Sequence, residues 1–126
     1  MNKICTTIEQ SKKLLELGID VNIADMHYYK NSFGDYIEGL YNSSDLKEGC
    51  ELKGIEYIPA WSLSALVEIL SDITDYSFEL IFLKRTTDGR GDVLENIYRC
   101  SVDMKDTWNT EPIDAIFEMI VWLKEN

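Results

Sequence analysis

The segment 113–123 sets the terms for the rest of the chain. Ile113, Ile116, Phe117 and Ile120 recur at helical spacing on one face, and Ala115, Met119, Trp122 and Leu123 form a second apolar face beside it. Asp114, Glu118 and Glu125 make one narrow polar stripe. A helix apolar around most of its circumference has to be covered by other elements on most sides. Pro112 suits a first helical turn, where its missing N–H costs nothing, so the helix begins near Thr110. With Asp114 and Glu118 inside it, the segment is too short and too charged for a membrane span. It predicts the central helix of a domain core, with Trp122 inside.

Other elements are marked by their ends. Thr6-Thr7-Ile8-Glu9 fits a capping box, in which a threonine hydroxyl and the Glu9 carboxylate each satisfy an orphan backbone donor. Ile8, Ser11 and Leu15 share a stripe with Leu14 beside it, and Gly18 supplies a left-handed stop, so a first helix spans about 7–17. Ser62 is an N-cap preceded by Pro59 and Trp61, and Leu63, Leu66, Val67 and Leu70 follow helical spacing, with Trp61 and Leu66 placed as a hydrophobic staple. The alternation in Ile19-Asp20-Val21-Asn22-Ile23 and the run Met26-His27-Tyr28-Tyr29 predict two short extended pieces, followed by a turn at 31–35. Segments 78–83 and 93–100 predict a β-hairpin across the glycine-bearing turn 86–91. Residues 35–57, broken by Gly39, Gly49 and Gly54, predict a long irregular loop.

These elements amount to one α+β domain over residues 1–126: a small antiparallel sheet including one β-hairpin, covered by three helices with the C-terminal helix central. A chain of 126 residues is one domain by length, and 45% hydrophobic residues suffice for a core. No secretory pattern is seen at Met1–Thr6, so the expected location is cytoplasmic, with no membrane contact. Cys5, Cys50 and Cys100 are widely spaced and predict reduced thiols, because a zinc site with His27 would lack paired ligands at short spacing.

Lys and Arg number 12 against 23 Asp and Glu, a net charge of −11. Such a surface disfavours direct binding of nucleic acid or anionic lipid, whose recognition relies on basic groups. It favours solubility, and it suits imitation of nucleic acid in the basic groove of another protein. Residues 35–79 hold ten acids against Lys47 and Lys53. Within this stretch Tyr36, Glu38, Tyr41, Asp45, Glu48 and Glu51 are the candidate protein-interface residues, since aromatics on a polar surface mark interfaces.

The three arginines, Arg85, Arg90 and Arg99, all fall on the hairpin. They either neutralise Asp88, Asp92 and Glu95 or converge on a small phosphorylated ligand, with Trp108, in the polar stretch 106–109, stacking on a base. Trp108 equally fits packing at a helix entry. The tripeptide Arg90-Gly91-Asp92 is explained by the turn. His27 is the single histidine, and no phosphate-binding loop, dinucleotide fingerprint, nucleophile elbow or HExxH pattern is present. No cofactor is implied.

Residues 5–18 (CTTIEQSKKLLELG), 58–66 (IPAWSLSAL), 114–123 (DAIFEMIVWL) and Ala24-Asp25-Met26 resemble a family of small uncharacterised proteins carried by phages and integrated elements of gut bacteria. The resemblance covers about a third of the chain. It implies a genomic context and a fold, with no activity or catalytic residue to carry over.

The expected function is a non-enzymatic phage or mobile-element binding protein. It would act as a counter-defence inhibitor that docks its acidic surface on a basic surface of a host protein. The alternatives are a sponge for a phosphorylated or nucleotide-like ligand and an enzyme using His27 with a carboxylate. The apolar excess of the last helix also fits a homodimer.

Overall fold

The first helix shows how local hydrogen bonding settles a boundary. In the computed structural model, which describes residues 3–40, 56–85 and 95–126, α1 spans Ile8–Glu16. Its capping box lies one residue later than the sequence predicts: Gln10 N–H donates to Thr7 Oγ1 at 3.1 Å, and Thr7 N–H to Gln10 Oε1 at 3.0 Å. Thr6 cannot serve as the cap because its hydroxyl is engaged elsewhere. It accepts from Trp61 N–H at 3.1 Å and bonds Ser11 Oγ at 2.8 Å. The predicted glycine stop holds. Gly18 adopts φ +80, with Gly18 N–H to Leu15 O and Ile19 N–H to Leu14 O each 3.0 Å, the two bonds of a Schellman motif.

The chain is α+β. Among the described residues the strands divide between two three-stranded antiparallel sheets, and contacts divide the chain into two compact units, Ile4–Ala65 and Met1–Lys3 with Leu66–Asn126.

In the first unit β1 (Met26–Lys30) lies between β2 (Tyr36–Leu40) and β3 (Tyr57–Ala60). The turn 31–35 forms as expected. Asn31 Oδ1 accepts from Phe33 N–H at 2.9 Å and Asp35 N–H at 3.0 Å, and Gly34 takes φ +83. It delivers β2 into register, Lys30 opposite Tyr36 and Met26 opposite Leu40. Residues 36–40 are therefore strand, not the start of an irregular loop, because pairing with β1 overrides a sequence without strand alternation. Residues 21–23 form a 3-10 turn instead of an extended piece, since Asn22 N–H bonds Asp20 Oδ1 at 2.9 Å and that local bond competes with extension. Cys5, Met26 and Ala60 form a buried cluster with Tyr28 against it. The Tyr28 hydroxyl donates to Thr6 O at 2.8 Å.

The helix α2 (Leu63–Thr74) begins in this unit. Ser62 caps it as predicted, accepting from Ala65 N–H at 3.3 Å. Asp25, just before β1, in turn accepts from Ser62 N–H at 2.9 Å and from its hydroxyl.

In the second unit β5 (Glu95–Val102) lies between β4 (Glu79–Arg85) and β6 (Lys105–Asn109), and α3 (Pro112–Glu125) follows. β4 and β5 are the expected hairpin; their connection lies outside the described residues. β6 is a strand where the sequence predicts a polar loop. α3 packs on β5 and β6, with Ile113, Ala115, Ile116, Met119 and Ile120 fully buried as the core helix the sequence requires. The Thr107 hydroxyl donates to Ala115 O at 2.6 Å in the buried interface, and Lys3 meets Asp114 in the first helical turn at 2.6 Å. Trp122 is not core. It is 38% exposed, with Lys105 Nζ 5.2 Å from its ring centroid.

Thr6→Val keeps the shape of the side chain and removes the hydroxyl, leaving Trp61 N–H buried without its acceptor. The substitution is expected to lower unfolding free energy by about 1–3 kcal/mol, measured as a shift of the urea midpoint at unchanged slope.

Candidate functional site

On β5, Arg99 stands opposite Trp108 of β6, and the guanidinium carbon lies 5.4 Å from the indole centroid. Two residues picked from the sequence as ligand-binding are thus in contact with each other. Their pairing comes from the strand register, and the cation–π contact leaves Trp108 45% exposed. Arg85 ends β4 opposite Glu95, four residues along β5 from Arg99. At about 3.3 Å per residue, its backbone position lies about 13 Å along the sheet from that of Arg99. Arg90 lies outside the described residues, so convergence of all three arginines has no support among the described ones.

The face of Arg99 carries a groove of about 540 Å³, lined among others by Tyr76, Glu79, Arg99, Ser101, Asp103 and Asp106. Glu79 stands opposite Ser101, and Ser101 opposite Asp106, so the three strands set these side chains in one row. Ser101 Oγ donates to Asp106 Oδ1 at 2.5 Å. Three carboxylates face one guanidinium, which makes the groove hospitable to cationic groups and hostile to phosphate.

Both rims of the groove are strained. Asp75 and Tyr76 adopt φ +53 and +66, and Asp103 φ +53. α2 closes with Tyr76 N–H on Ser71 O at 2.8 Å, so Asp75 takes the left-handed position that glycine occupies after α1. Tyr76 follows in the same region, which is rare for a large side chain, and is 75% exposed. Backbone strain of this kind is retained at binding and catalytic sites more than elsewhere. Ahead of it, Glu68 and Asp72 lie exposed one turn apart on α2, and Asp75 lies exposed just beyond the helix end. The sequence reading missed Tyr76, Asp103 and this ridge; the one signal was a helix end without glycine.

Of the expected protein-interface residues, Tyr36 and Glu38 lie on β2, while Tyr41, Asp45, Glu48 and Glu51 lie outside the described residues. Lys30 Nζ sits 5.2 Å from the Tyr36 ring centroid and pairs with Glu56 at 2.8 Å; the Tyr36 hydroxyl donates to Glu56 at 3.4 Å. The Lys30 hydrogen bond and charge hold the Glu56 carboxyl below its usual range, and Glu56 raises Lys30 in return.

His27 is 1% exposed within the β1 sheet, with the Tyr29 and Tyr57 rings 5.8 Å and 6.0 Å away between centroids. Burial pushes its pKa below the usual 6.5. It lies out of reach of bulk solvent, a poor position for a base that must meet substrate. Cys5 and Cys100 are buried, and burial pushes the Cys100 thiol up to about 11; Cys50 lies outside the described residues. Among the described residues no three His, Cys, Asp or Glu side chains gather as a metal site. No described helix is long and apolar enough to cross a membrane.

Because folded His27 resists protonation while the unfolded chain binds a proton near pH 6.5, stability is fully present above that pH and falls below it. Thermal melts between pH 7 and pH 5.5 are expected to show this loss in the natural chain and a flatter profile in His27→Gln. Tyr76→Gly relieves the left-handed strain of an exposed residue and is expected to raise stability by about 0.5–1 kcal/mol, against the usual direction for glycine, read from the urea midpoint. Comparison with family models, with curated proteins and with solved structures finds no match for this chain.

Proposed function

We propose that this chain is a non-enzymatic binding protein of a phage or mobile element that docks an acidic surface on a basic surface of a host protein, as a counter-defence inhibitor. The observation that carries the reading is the set of exposed carboxylates Glu68 and Asp72 on α2 and Asp75 just beyond it, followed by the exposed Tyr76 at a groove lined by Glu79, Asp103 and Asp106. A charged rim around an exposed aromatic is the usual composition of a protein interface. The net charge of −11 steers a basic partner toward it. This reading uses the α2–β4 corner of the second unit; Tyr36, on β2 of the first unit, is a separate candidate.

The sponge reading rests on Arg99 and Trp108 alone among the described residues, and the neighbouring carboxylates oppose phosphate.

The test is capture of partners from host lysate on the immobilised chain at about 50 mM and 500 mM salt, repeated with Glu68→Lys/Asp72→Lys. A basic protein retained at low salt, released at high salt and lost with the variant is the expected result. Retention indifferent to both, or a co-purifying small phosphorylated molecule in native mass spectrometry, would overturn the reading.

A further inference from the structure

We infer that the groove on the second unit binds a small zwitterion of the basic α-amino-acid class, its carboxylate on Arg99 and its side-chain cation between Glu79 and Asp106. Every residue lining the groove belongs to that unit and to the described residues. The volume of about 540 Å³ falls within the range of small-ligand sites, about 300–1,000 Å³. The site shares the groove with the docking surface but stands on separate observations: the state of Arg99 and the spacing of the charges.

Arg99 is half-buried, and its Nε is buried with no hydrogen-bond partner. The guanidinium rests against the Trp108 indole, 5.4 Å from its centroid. Glu79, Asp103 and Asp106 line the same groove, yet among the described residues none of them forms an ion pair with it. All three carboxylates are exposed, and Asp106 accepts the Ser101 hydroxyl at 2.5 Å instead. A partly buried charge is ordinarily paired, because its desolvation is otherwise uncompensated. Here the cation stays unpaired beside three carboxylates in a chain carrying −11. The indole holds the guanidinium by one face, which leaves its terminal nitrogens to donate to a carboxylate in the groove.

The strand register sets the second end of the site. Glu79, Ser101 and Asp106 stand opposite one another on β4, β5 and β6. Neighbouring strands lie about 4.8 Å apart, so the two carboxylates flank a gap of about 10 Å with Ser101 in the middle. Arg99 precedes Ser101 by two residues, on the same sheet face and about 7 Å along the strand. The groove therefore has an anion-binding end and a cation-binding end, one step of β5 apart. A single lysine or arginine molecule spans that step from its carboxylate to its side-chain cation.

Charge narrows the choice further. Phosphate brings only negative charge to three carboxylates, and a diamine sets its second cation against Arg99. An amino acid with a short neutral side chain satisfies Arg99 and falls short of the Glu79–Asp106 row. A basic amino acid supplies one anion and two cations to a site of one guanidinium and three carboxylates. The exposed Tyr76 ring lines the same groove and offers a surface for the aliphatic stem.

The test is titration of the isotope-labelled chain with L-arginine to about 20 mM, followed by NMR, with agmatine (arginine without its carboxylate) and L-glutamate as comparisons. Arginine is expected to shift the Arg99 Nε–H, Ser101 and Tyr76 signals to saturation, and glutamate to leave them in place. Agmatine is expected to bind about tenfold more weakly than arginine, for want of the charge-assisted bond to Arg99. Arg99→Gln is expected to bring arginine down to the level of agmatine without weakening agmatine itself. Glu79→Gln/Asp106→Asn is expected to weaken both ligands; it alters exposed positions and carries the test should Arg99→Gln fail to fold. Absence of a saturable shift, equal binding of arginine and agmatine, or an affinity indifferent to these variants would overturn the proposal. Capture of a basic partner is read without arginine present, so the docking reading stands or falls separately.

Discussion

The first unit depends on one buried hydroxyl. Thr6 exchanges backbone bonds with Trp61, N–H to O at 2.9 Å, while its side chain accepts the Trp61 N–H in return. Its carbonyl receives the Tyr28 hydroxyl of β1, and its hydroxyl meets Ser11 of α1. The entry to α1, the middle of the sheet and the junction between β3 and α2 are thus tied at one fully buried residue. Buried polar groups behave cooperatively: satisfied, they fix a unique arrangement, and a single missing partner exposes the full desolvation cost of the rest. That cost explains why the helix cap moves to Thr7, since Thr6 is worth more to the junction than to the helix end.

The same economy decides what was legible in the sequence. Elements closed by their own residues were readable: the stop of α1 at Gly18, the cap of α2 at Ser62, the turn held by Asn31, and α3 from its apolar circumference. Elements closed by a distant partner were not. β6 reads as a loop because its residues, Lys105, Asp106, Thr107, Trp108 and Asn109, are mostly polar. Only the burial of Thr107 beneath α3, between two exposed neighbours, reveals its alternation. β2 is hidden for the same reason, since its register is set by β1. Asp25 gives no local sign that it holds Ser62, a residue 37 positions away.

For the site, residue type was legible and geometry was not. Arg99 and Trp108 could be picked as chemistry-bearing, yet their mutual contact follows from a strand that the sequence conceals. Tyr76 was invisible because left-handed backbone is ordinarily announced by glycine, and here an aspartate and a tyrosine adopt it. Tyr76 keeps a costly conformation at the rim of a polar groove. Strain at that place, with the aromatic ring held out in solvent, is explained more economically by recognition than by stability.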